Sequence, residues 1–573
     1  MKKIKEHIEI IVLLIAVLFV CIPLFKDGFI DTHDGHFHIS RIFGTTSGIL
    51  DGQFLPEVVI EWGNGFGFSW NLFYPPLVTY VGAFFKLILP TYVEVLKLIL
   101  VILTAISGIG MYKLMYEITE KKKISLLVAV IYLTVPYRLT DVFVRLAIGE
   151  VMTFAFMPIL FQGLYNLFNK DGKKSHLIVI GAVGIVLSHN ISTLLIASIS
   201  VIYVLIHITK LKDKNILIKL IISAVFIILI ALFFYGPLLE SKLSANYSAF
   251  DEGFMMTKEG FEKQVLHINQ LFDNNFRPGR SYELGQDGDG TNEMNFAIGL
   301  QIIIPLLLVP FIFKKIKKET RKDYFYFLIL GLICTFATTV LFPWKYMPDL
   351  FTILQAPWRL LMPATFLLSI AAGMTIDYEF EKIETKYLIV AIVACLIYVA
   401  PYFFNLSYVE TFDENAICNA RFSTLNCSNF EYFPTNARKN MDYIEKREDK
   451  AIILEGNATI ENENKKGTNM TFDITENSSE NLKIELPYIY YIGYNVKLND
   501  EEITITETEN GFLEINIPEQ KTGTIKVEYT GTTVMNVTKI ISIFSTLIFI
   551  IYCFRNRLKN CLIYSKIKNE VNK

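Results

Sequence analysis

The sequence predicts a mainly α-helical polytopic membrane protein with a small β-rich domain before its last helix. Of the 573 residues, 52% are hydrophobic and 19% are charged, whereas an average soluble protein carries about 25% charged residues. The charges are concentrated between long apolar runs, which is the pattern of membrane-spanning helices. Strand-like alternation of apolar residues in 482–529 distinguishes the C-terminal region from the rest of the chain.

A transmembrane helix needs about 20 consecutive, mostly apolar residues, and many stretches approach that length. A further stretch, 76–90, is shorter and ends at Pro90, so we expect it to be re-entrant or interfacial. The N-terminal apolar stretch, 8–25, lacks a small-residue cleavage site, which favours an uncleaved transmembrane helix over a signal peptide. The bundle is therefore predicted to contain about 12 to 13 helices. The predicted spans are 8–25, 93–116, 124–139, 147–168, 176–189, 191–208, 216–238, 297–313, 324–343, 358–377, 386–404 and 536–554.

The distribution of lysines predicts the orientation of these helices. If the N-terminus is cytoplasmic and 76–90 does not cross, every lysine-rich loop lies on the cytoplasmic side, as the positive-inside rule requires. The C-terminus is then cytoplasmic too. The alternative to a segment 76–90 that does not cross is an error in one of the marginal spans, 124–139 or 176–189. The lysine-rich loops are those at Lys121–Lys123, Lys170–Lys174, Lys210–Lys214, Lys314–Lys322 and Lys382–Lys386.

This topology predicts a multi-pass protein of the cell membrane with three extracytoplasmic regions. Apolar residues alternate in the last of them, as in Leu482, Ile484 and Leu486, which predicts strands of a β-sandwich-like domain. A formal net charge of -2 and the lack of a basic stripe argue against a nucleic-acid partner. We divide the chain into a helical module at 1–404, with outer loops 26–92 and 239–296, an extracytoplasmic β-rich domain at 405–534, and a final helix with a basic tail at 535–573.

The first outer loop contains a cluster of ionisable side chains. On a helix, Asp31, Asp34, His38 and Arg41 share one face. A carboxylate there can act as a general base, and Arg41 can bind a phosphate in bidentate fashion. The structural alternative is a solvated amphipathic helix with Asp34–His38 and Asp34–Arg41 pairs. Asp31, Asp34 and His38 would also suit Mg²⁺ or Mn²⁺, although nothing in their spacing demands a metal.

Two further segments of this loop carry turn residues. Gly63–Gly67 contains three glycines, which permit positive φ and close backbone approach. Phe73–Leu77 contains paired prolines that set the entry into the next apolar segment. For both segments a turn and a substrate contact are equally compatible with the sequence.

Ionisable residues also lie at the predicted outer ends of later helices. Arg145 and Glu150 flank one span, His189 lies at a helix junction, and Trp358 and Arg359 open another span. Charged groups at such positions are costly, and this favours a function for them. Trp358 and Arg359 also fit a plain interfacial anchor. The predicted topology places all of these residues on the same side as the first-loop cluster.

Several of these motifs together resemble a known family. The chain is similar, over most of residues 1–405, to bacterial and archaeal membrane proteins described as 6-pyruvoyl-tetrahydropterin synthase-related, a description from which no pterin chemistry follows. The arrangement is also similar to type-C glycosyltransferases, multi-helix enzymes with a catalytic Asp in the first outer loop. The matching residues are Asp34, His38, Arg41, Asp51–Pro56, Gly65–Gly67, Phe73–Leu77, Arg145–Ala147, Glu150, Ser188–His189 and Gln355–Arg359.

The resemblance implies a role for each candidate residue. Asp34, or Asp31, is expected to be the general base. His38 and Glu150 are expected to orient the acceptor or the base. The predicted substrate-binding set is Arg41, Arg145 and Arg359 for the lipid phosphate, with Tyr74, His189 and Trp358 beside them.

The resemblance to type-C glycosyltransferases implies sugar transfer outside the membrane. The donor would be a polyprenyl-phosphate-linked sugar held in the bilayer, the acceptor a glycan, lipid or protein of the cell envelope, and the anomeric centre would invert. A transporter or lipid flippase is an alternative, but it would need polar residues deep in the spans, where the sequence offers few, and we find no inverted repeats. The second alternative is a non-catalytic envelope scaffold that uses the β-rich domain.

Overall fold

The computed structural model describes residues 8–251, 256–274, 276, 279, 294–380, 382–409, 413–423, 427, 430–518 and 520–571, without the side chains of Cys418 and of residues 555–571. The predicted second outer loop, 239–296, falls partly outside the described residues. Residues 1–7, at the predicted cytoplasmic N-terminus, also lie outside the described residues.

Helices account for most of the first 404 residues. They begin in the apolar runs and end at turns, as expected from composition. The helices are α1 (Ile8–Val20), α2 (Gly35–Leu50), α3 (Leu77–Lys86), α4 (Tyr92–Thr119), α5 (Lys122–Leu133), α6 (Pro136–Thr140), α7 (Ile148–Asn169), α8 (His176–Val186), α9 (Asn190–Ile206), α10 (Lys214–Ser244), α11 (Lys258–Glu262), α12 (Leu300–Leu306), α13 (Val309–Ile312), α14 (Arg321–Ala337), α15 (Leu361–Glu379) and α16 (Thr385–Phe404).

The predicted fold class is confirmed, because each predicted span contains a helix and the C-terminal region is β-rich. Within the described ranges, six helices are long and apolar enough to cross a membrane, and a seventh span results if α5 and the bent segment after it are counted together. The six are Tyr92–Thr119, Ile148–Asn169, Lys214–Ser244, Pro357–Glu379, Thr385–Phe404 and Thr533–Phe554.

Helix α3 occupies the segment that we expected to be re-entrant or interfacial. Its 10 residues rise only about 15 Å, half of the roughly 30 Å hydrocarbon core. It therefore does not cross the membrane by itself.

The lysine-rich loops meet at one end of the bundle. Lys121 pairs with Asp377 at 2.8 Å, and Lys315 pairs with Glu379 at 2.7 Å. Lys210 donates to the Phe168 carbonyl at the end of α7, at 2.6 Å. Glu150 lies at the other end of α7, about 27 Å from Phe168 at a rise of roughly 1.5 Å per residue. The candidate site is thus at the end of the bundle opposite the lysines, and the orientation of these ends relative to the cytoplasm stays a prediction.

The C-terminal region folds into two antiparallel sheets. One contains, in spatial order, the strands Ile452–Glu455, Asn481–Ile489, Phe512–Pro518 and Ile505–Glu507, and the other Ala458–Lys466, Asn469–Asn477, Gly523–Tyr529, Tyr494–Leu498 and Glu501–Ile503. Alternate residues of the strands are fully buried, among them Leu482, Ile484 and Leu486. The elements of this region are α17 (Glu414–Asn419), α18 (Thr435–Lys439), α19 (Met441–Lys446), β3 (Ile452–Glu455), β4 (Ala458–Lys466), β5 (Asn469–Asn477), β6 (Asn481–Ile489), β7 (Tyr494–Leu498), β8 (Glu501–Ile503), β9 (Ile505–Glu507), β10 (Phe512–Pro518), β11 (Gly523–Tyr529) and the final helix α20 (Thr533–Val571).

The first outer loop shares a hydrophobic core with the β-rich domain. Trp62, Phe68, Trp70 and Phe73 belong to the same buried cluster as the inward-facing residues of the strands. The Phe73 ring stacks on the Tyr432 ring with centroids 5.3 Å apart. The core therefore crosses the boundary that we predicted at residue 404.

The glycine-rich segment Gly63–Gly67 inserts into the β-rich domain. Phe66 is buried, and the cationic groups of Arg447 and Lys465 lie 5.3 and 5.2 Å from its ring centroid. Its carbonyl accepts a hydrogen bond of 2.9 Å from the Ile489 amide. The flanking Gly65 and Gly67 have φ of +89° and +108°, values that favour glycine. In the structure, this segment connects two parts of the protein and does not line the cavity described below.

Replacing Phe66 by Ala is expected to destabilise the protein by about 3 kcal/mol, because it removes a buried aromatic ring and leaves a cavity between two cations. Thermal unfolding of the purified protein in detergent measures the effect. Phe54→Ala is the control, since Phe54 lies in the same loop but is 75% exposed. Equal melting temperatures for the two variants would contradict an anchoring role for Phe66.

Candidate functional site

The segment that carries Asp34 is held by backbone hydrogen bonds to a distant part of the chain. Strand β1 (Phe29–Ile30) pairs with β2 (Tyr408–Val409). The amide of His33 then donates to the Val144 carbonyl and the amide of Asp34 to the Arg145 carbonyl, each at 3.0 Å. Asp34 is therefore fixed beside Arg145 before α2 begins.

The prediction that Asp31, Asp34, His38 and Arg41 share one helix face is wrong. Helix α2 begins at Gly35, so Asp34 immediately precedes it and Asp31 is not part of it. The hydrogen bonds to residues 144–145 keep the chain out of a helical conformation before that point. Asp31 is partly buried and does not line the cavity that Asp34 and His38 share.

A sharp reversal of the chain positions Arg145 and Glu150. Helices α5 and α6 with the following residues form a segment that is bent by 50°, and Asp141–Arg145 form a π-helical turn. Leu146 has a left-handed φ of +51°, after which α7 runs back through the bundle. π-Helical turns and left-handed non-glycine residues are frequent at functional sites.

A cavity of about 470 Å³ lies between this reversal, α2 and the start of α15. Predicted site residues from five segments of the chain line it together: Asp34, His38, Tyr74, Arg145, Glu150, His189 and Arg359. Three predicted residues do not, namely Asp31, Arg41 and Trp358. Trp358 lines an adjoining cavity of about 460 Å³ together with Asp34, Arg145 and Arg359.

Glu150 is the centre of a buried ion-pair network. One of its carboxylate oxygens pairs with Arg145, at 3.1 Å, and with Arg359. The other accepts a 3.0 Å hydrogen bond from the Tyr137 hydroxyl. Arg145 also pairs with Asp141. This network fixes the guanidinium groups of Arg145 and Arg359 at the edge of the cavity. Both carboxylate oxygens of Glu150 are used in these interactions.

Trp358 supports the two arginines from the adjoining cavity. Its ring centroid lies 4.6 Å from the Arg145 guanidinium carbon and 5.3 Å from that of Arg359. Its indole N–H donates to the Gln264 side-chain oxygen at 3.2 Å. Cation–π contacts of this kind orient guanidinium groups and offset part of the free-energy cost of removing them from water.

Arg41 lies behind the cavity wall. It is fully buried, and its guanidinium carbon is 4.1 Å from the centroid of the Tyr74 ring. Tyr74 itself lines the cavity. The guanidinium nitrogens of Arg41 have no hydrogen-bond partner among the described residues. In this structure Arg41, which the sequence suggested as a phosphate ligand, is buried and does not line the cavity.

Two of the histidines that line the cavity, His38 and His189, were predicted as site residues. Burial, followed by the nearby Arg41, lowers the pKa of His38 to about 3, so His38 is uncharged at neutral pH. His189 caps α9, and its Nδ1 lies 2.8 Å from the Ser192 hydroxyl. A Cβ on Gly149 would lie 2.8 Å from the Cβ of His189, so the close approach of these two segments requires glycine there.

Asp34 lies in the cavity wall together with Arg145 and Arg359. Burial raises the pKa of its carboxyl group above the ordinary value, while Arg145 and Arg359 act in the opposite direction. The Asp34–His38 and Asp34–Arg41 pairs of the structural alternative do not occur among the ion pairs of the described residues.

The cavity also includes residues that the sequence did not indicate. His33 and His36 line it, although both lie off the predicted helix face, and Glu431 and Tyr432 line it as well. Glu431 and Tyr432 come from the part of the 405–534 region that precedes the strands of the two sheets. The four-residue spacing of Asp141 and Arg145 could have indicated their ion pair. No pattern in the sequence points to Glu431 or Tyr432 as cavity residues.

The residues predicted as metal ligands, Asp31, Asp34 and His38, are not brought together as a three-ligand group in the described structure. In the part of the chain that the structure describes, no three His, Cys, Asp or Glu side chains are grouped so that they could hold a metal ion. Of the expected ligands, Asp31 lies outside the cavity that Asp34 and His38 line.

Comparison with known proteins shows a match to a family model and to a relative that aligns along most of the chain. A family model described as "6-pyruvoyl-tetrahydropterin synthase related domain; membrane protein" matches residues 72–407, which is more than half of the chain. A protein of Lactococcus lactis subsp. cremoris (strain MG1363), described as "Uncharacterized protein", is 25% identical over 577 residues that cover 91% of each chain. The family description confirms the predicted membrane location.

Two solved structures align with most of this chain. The arabinofuranosyltransferase AftD from Mycobacteria aligns with a TM-score of 0.42 and 9% identity, covering 70% of this chain and 26% of that one. The oligosaccharyltransferase of Archaeoglobus fulgidus in its apo form aligns with a TM-score of 0.39 and 12% identity, covering 72% and 56%. The chain thus spans about a quarter of the length of the first protein and just over half of the second.

Proposed function

The chain belongs to the 6-pyruvoyl-tetrahydropterin synthase-related family of membrane proteins, and we propose that it is a glycosyltransferase that uses a polyprenyl-phosphate-linked sugar as donor. The observation that carries this proposal is the meeting of Asp34, Arg145 and Arg359 at one cavity of about 470 Å³. A base and two phosphate-binding cations are what transfer from a lipid phosphate requires.

In the proposed reaction, an acceptor hydroxyl attacks the anomeric carbon of the donor sugar while Asp34 takes its proton. The bond between the anomeric carbon and the phosphate oxygen breaks, and the electron pair leaves with the polyprenyl phosphate. A single displacement of this kind inverts the anomeric centre. Arg145 and Arg359 stabilise the charge that develops on the leaving phosphate, because they are fixed before the reaction begins.

Glu150 and His38 act as positioning residues in this proposal. Glu150 contacts both arginines and holds them at the cavity edge. His38 is neutral at physiological pH, since burial lowers its pKa to about 3. A neutral imidazole can orient an acceptor hydroxyl by hydrogen bonding without attracting the phosphate.

Turnover in liposomes tests the proposal. The purified protein would be incubated with a panel of polyprenyl-phosphate-linked sugars carrying a radiolabel on the sugar, together with envelope extracts as acceptors. A transferase moves the label from the lipid to the acceptor and leaves polyprenyl phosphate. A flippase changes only the leaflet in which the labelled lipid lies, and a scaffold changes neither, so either of those results would overturn the proposal.

The transfer rate is expected to fall at acidic pH. Asp34 must be ionised to accept a proton, so activity is present above its pKa and is lost as the pH falls through it. Burial raises this pKa, and the acidic limb of the kcat/KM profile should therefore lie above the roughly 3.9 of an ordinary aspartate. Arg359 lowers the pKa of Asp34, so Arg359→Gln should move the limb to higher pH. A limb that does not move in this variant would contradict the assignment of Asp34 as the base.

A further inference from the structure

Two carboxamide side chains line the adjoining cavity, the space of about 460 Å³ beside the site, and both are held in the same way. The side-chain oxygen of Gln264 accepts a hydrogen bond of 3.2 Å from the Trp358 indole N–H. The side-chain oxygen of Gln355 accepts one of 2.9 Å from the Arg359 guanidinium. Each carboxamide oxygen therefore lies against a neighbouring side chain of the protein.

The chemistry of these partners fixes the orientation of each amide. An indole N–H and a guanidinium only donate hydrogen bonds, so the carboxamide oxygen lies against them and the NH2 group lies on the other side. Among the described residues, neither NH2 group has a hydrogen-bond partner. Asn190 in the site cavity differs, because its amide contacts the Phe73 carbonyl at 3.3 Å and the Tyr235 hydroxyl at 3.2 Å. The two glutamines thus retain N–H donors for a ligand.

The backbone at Gln355 has a sparsely populated conformation. Its φ of +63° is combined with a ψ of -33°, whereas ψ is positive in the ordinary left-handed region. The 3-10 helix Asp349–Leu354 ends with a hydrogen bond of 2.8 Å from the Gln355 amide to the Thr352 carbonyl, and Ala356 is already extended. Glycine adopts a positive φ without a steric cost. A glutamine in this conformation therefore indicates a role for its side chain.

Both amides lie next to the position of the sugar in the proposed reaction. The cavity that they line also contains Asp34, the proposed base, and Arg359, a proposed phosphate ligand. In a single displacement, the anomeric carbon lies between the leaving phosphate and the acceptor hydroxyl beside the base. The sugar ring is thus placed between Arg359 and Asp34, and Gln355 contacts Arg359 directly. A neutral amide donates to a sugar hydroxyl without adding charge to this cavity.

We propose that the adjoining cavity is the pocket for the donor sugar, and that Gln264 and Gln355 bind the sugar hydroxyls through their NH2 groups. The inference rests on the proposed function, because it names the part of that site that selects the sugar. A ring whose hydroxyls meet both amides satisfies their donors. A ring without a hydroxyl at one of these positions leaves an N–H group unpaired, and sites built on hydrogen bonds discriminate strongly against such ligands.

Binding of lipid phosphodiesters to the protein in nanodiscs tests the pocket. The probes are undecaprenyl phosphate esters of glucose, galactose and N-acetylglucosamine, together with undecaprenyl ethyl phosphate, which has the same charge and hydrocarbon chain but no sugar. Wild-type protein should bind at least one sugar ester about 25-fold more tightly than the ethyl ester, because two hydrogen bonds each change the affinity by about fivefold. Gln264→Met and Gln355→Met should each lower this affinity ratio about fivefold, and the double variant should lower it to about one.

A charged variant separates sugar binding from support of Arg359. Gln355→Glu keeps an oxygen against Arg359 but has no N–H donor, so it should lower the affinity ratio as Gln355→Met does. A residue that only held Arg359 would affect the binding of both esters alike and leave the ratio unchanged. Because the ratio compares two ligands on the same variant, partial loss of folded protein does not alter it.

Gln270→Met is the matched control. Gln270 belongs to the same segment as Gln264, its side-chain oxygen accepts a hydrogen bond of 2.7 Å from the His267 amide, and it does not line the cavity. Its affinity ratio should equal that of the wild-type protein. The pocket is overturned if the wild-type ratio is about one for every sugar ester, if the lining variants keep the wild-type ratio, or if the control lowers it as much as they do.

Failure of the pocket and failure of the proposed function give different results. An affinity ratio that depends on the two glutamines, without any sugar transfer in liposomes, supports the pocket and removes the transferase. Sugar transfer at the wild-type rate by the double variant Gln264→Met/Gln355→Met supports the transferase and removes the pocket.

Discussion

Replacing Asp34 by Asn is expected to lower the rate of sugar transfer by about a hundredfold to ten-thousandfold, the range typical for the loss of a general base. Asn has nearly the same shape as Asp but does not accept the proton of the acceptor hydroxyl. The backbone amide of residue 34 would still donate to the Arg145 carbonyl, at 3.0 Å in the wild-type protein. The variant should therefore fold normally and bind the donor.

Asp31→Asn is the matched control for this prediction. Asp31 lies three residues earlier on the same segment and outside the cavity, so its neutralisation should change the rate by less than about twofold. Both variants would be assayed in liposomes with the radiolabelled donor, after their thermal unfolding has been compared with that of the wild-type protein. Full activity of Asp34→Asn would remove the proposed mechanism. A loss shared equally by Asp31→Asn would show that charge in this loop matters and that the position of Asp34 does not.

The sequence predicts the membrane part of the fold well because its signal is local. A run of about 20 apolar residues has few alternatives to a buried or spanning helix. The cost of placing ions at a membrane surface also singled out Arg145, Glu150 and Arg359, and the structure brings these three into direct contact.

The parts that the sequence does not predict depend on contacts between distant segments. Helical periodicity suggested that Asp31 to Arg41 form one face, but two backbone hydrogen bonds to Val144 and Arg145 delay the helix to Gly35. Burial of Arg41 under Tyr74 follows from packing across α2 and the next loop. Tyr432 reaches the cavity only because the first outer loop and the β-rich domain share a core. No local pattern encodes such contacts.

Glu150→Gln is expected to reduce both stability and activity. The substitution removes the negative charge shared by Arg145 and Arg359 while these groups remain largely buried, with side chains 8% and 15% exposed. Removing one partner of a buried ion pair costs about 3 kcal/mol or more. Arg145 retains its ion pair with Asp141, whereas Arg359 loses its ion pair with Glu150. The loss of favourable interaction is therefore greater for Arg359. Thermal unfolding in detergent measures the stability change. The control is Glu120→Gln, because Glu120 pairs with Lys170 but its side chain is 72% exposed, and surface pairs contribute little.

The double variant Glu150→Gln/Arg359→Gln separates the structural role of Glu150 from the chemical role of Arg359. Removing the unpaired cation restores the charge balance of the cavity, so the double variant should be more stable than Glu150→Gln alone. Its transfer activity should not recover, because Arg359 is proposed to stabilise the leaving phosphate. A double variant no more stable than Glu150→Gln would mean that the ion pair does not determine the stability of this region. Recovery of activity along with stability would mean that the arginine only maintains the fold, and the leaving phosphate would then need a different partner in the cavity.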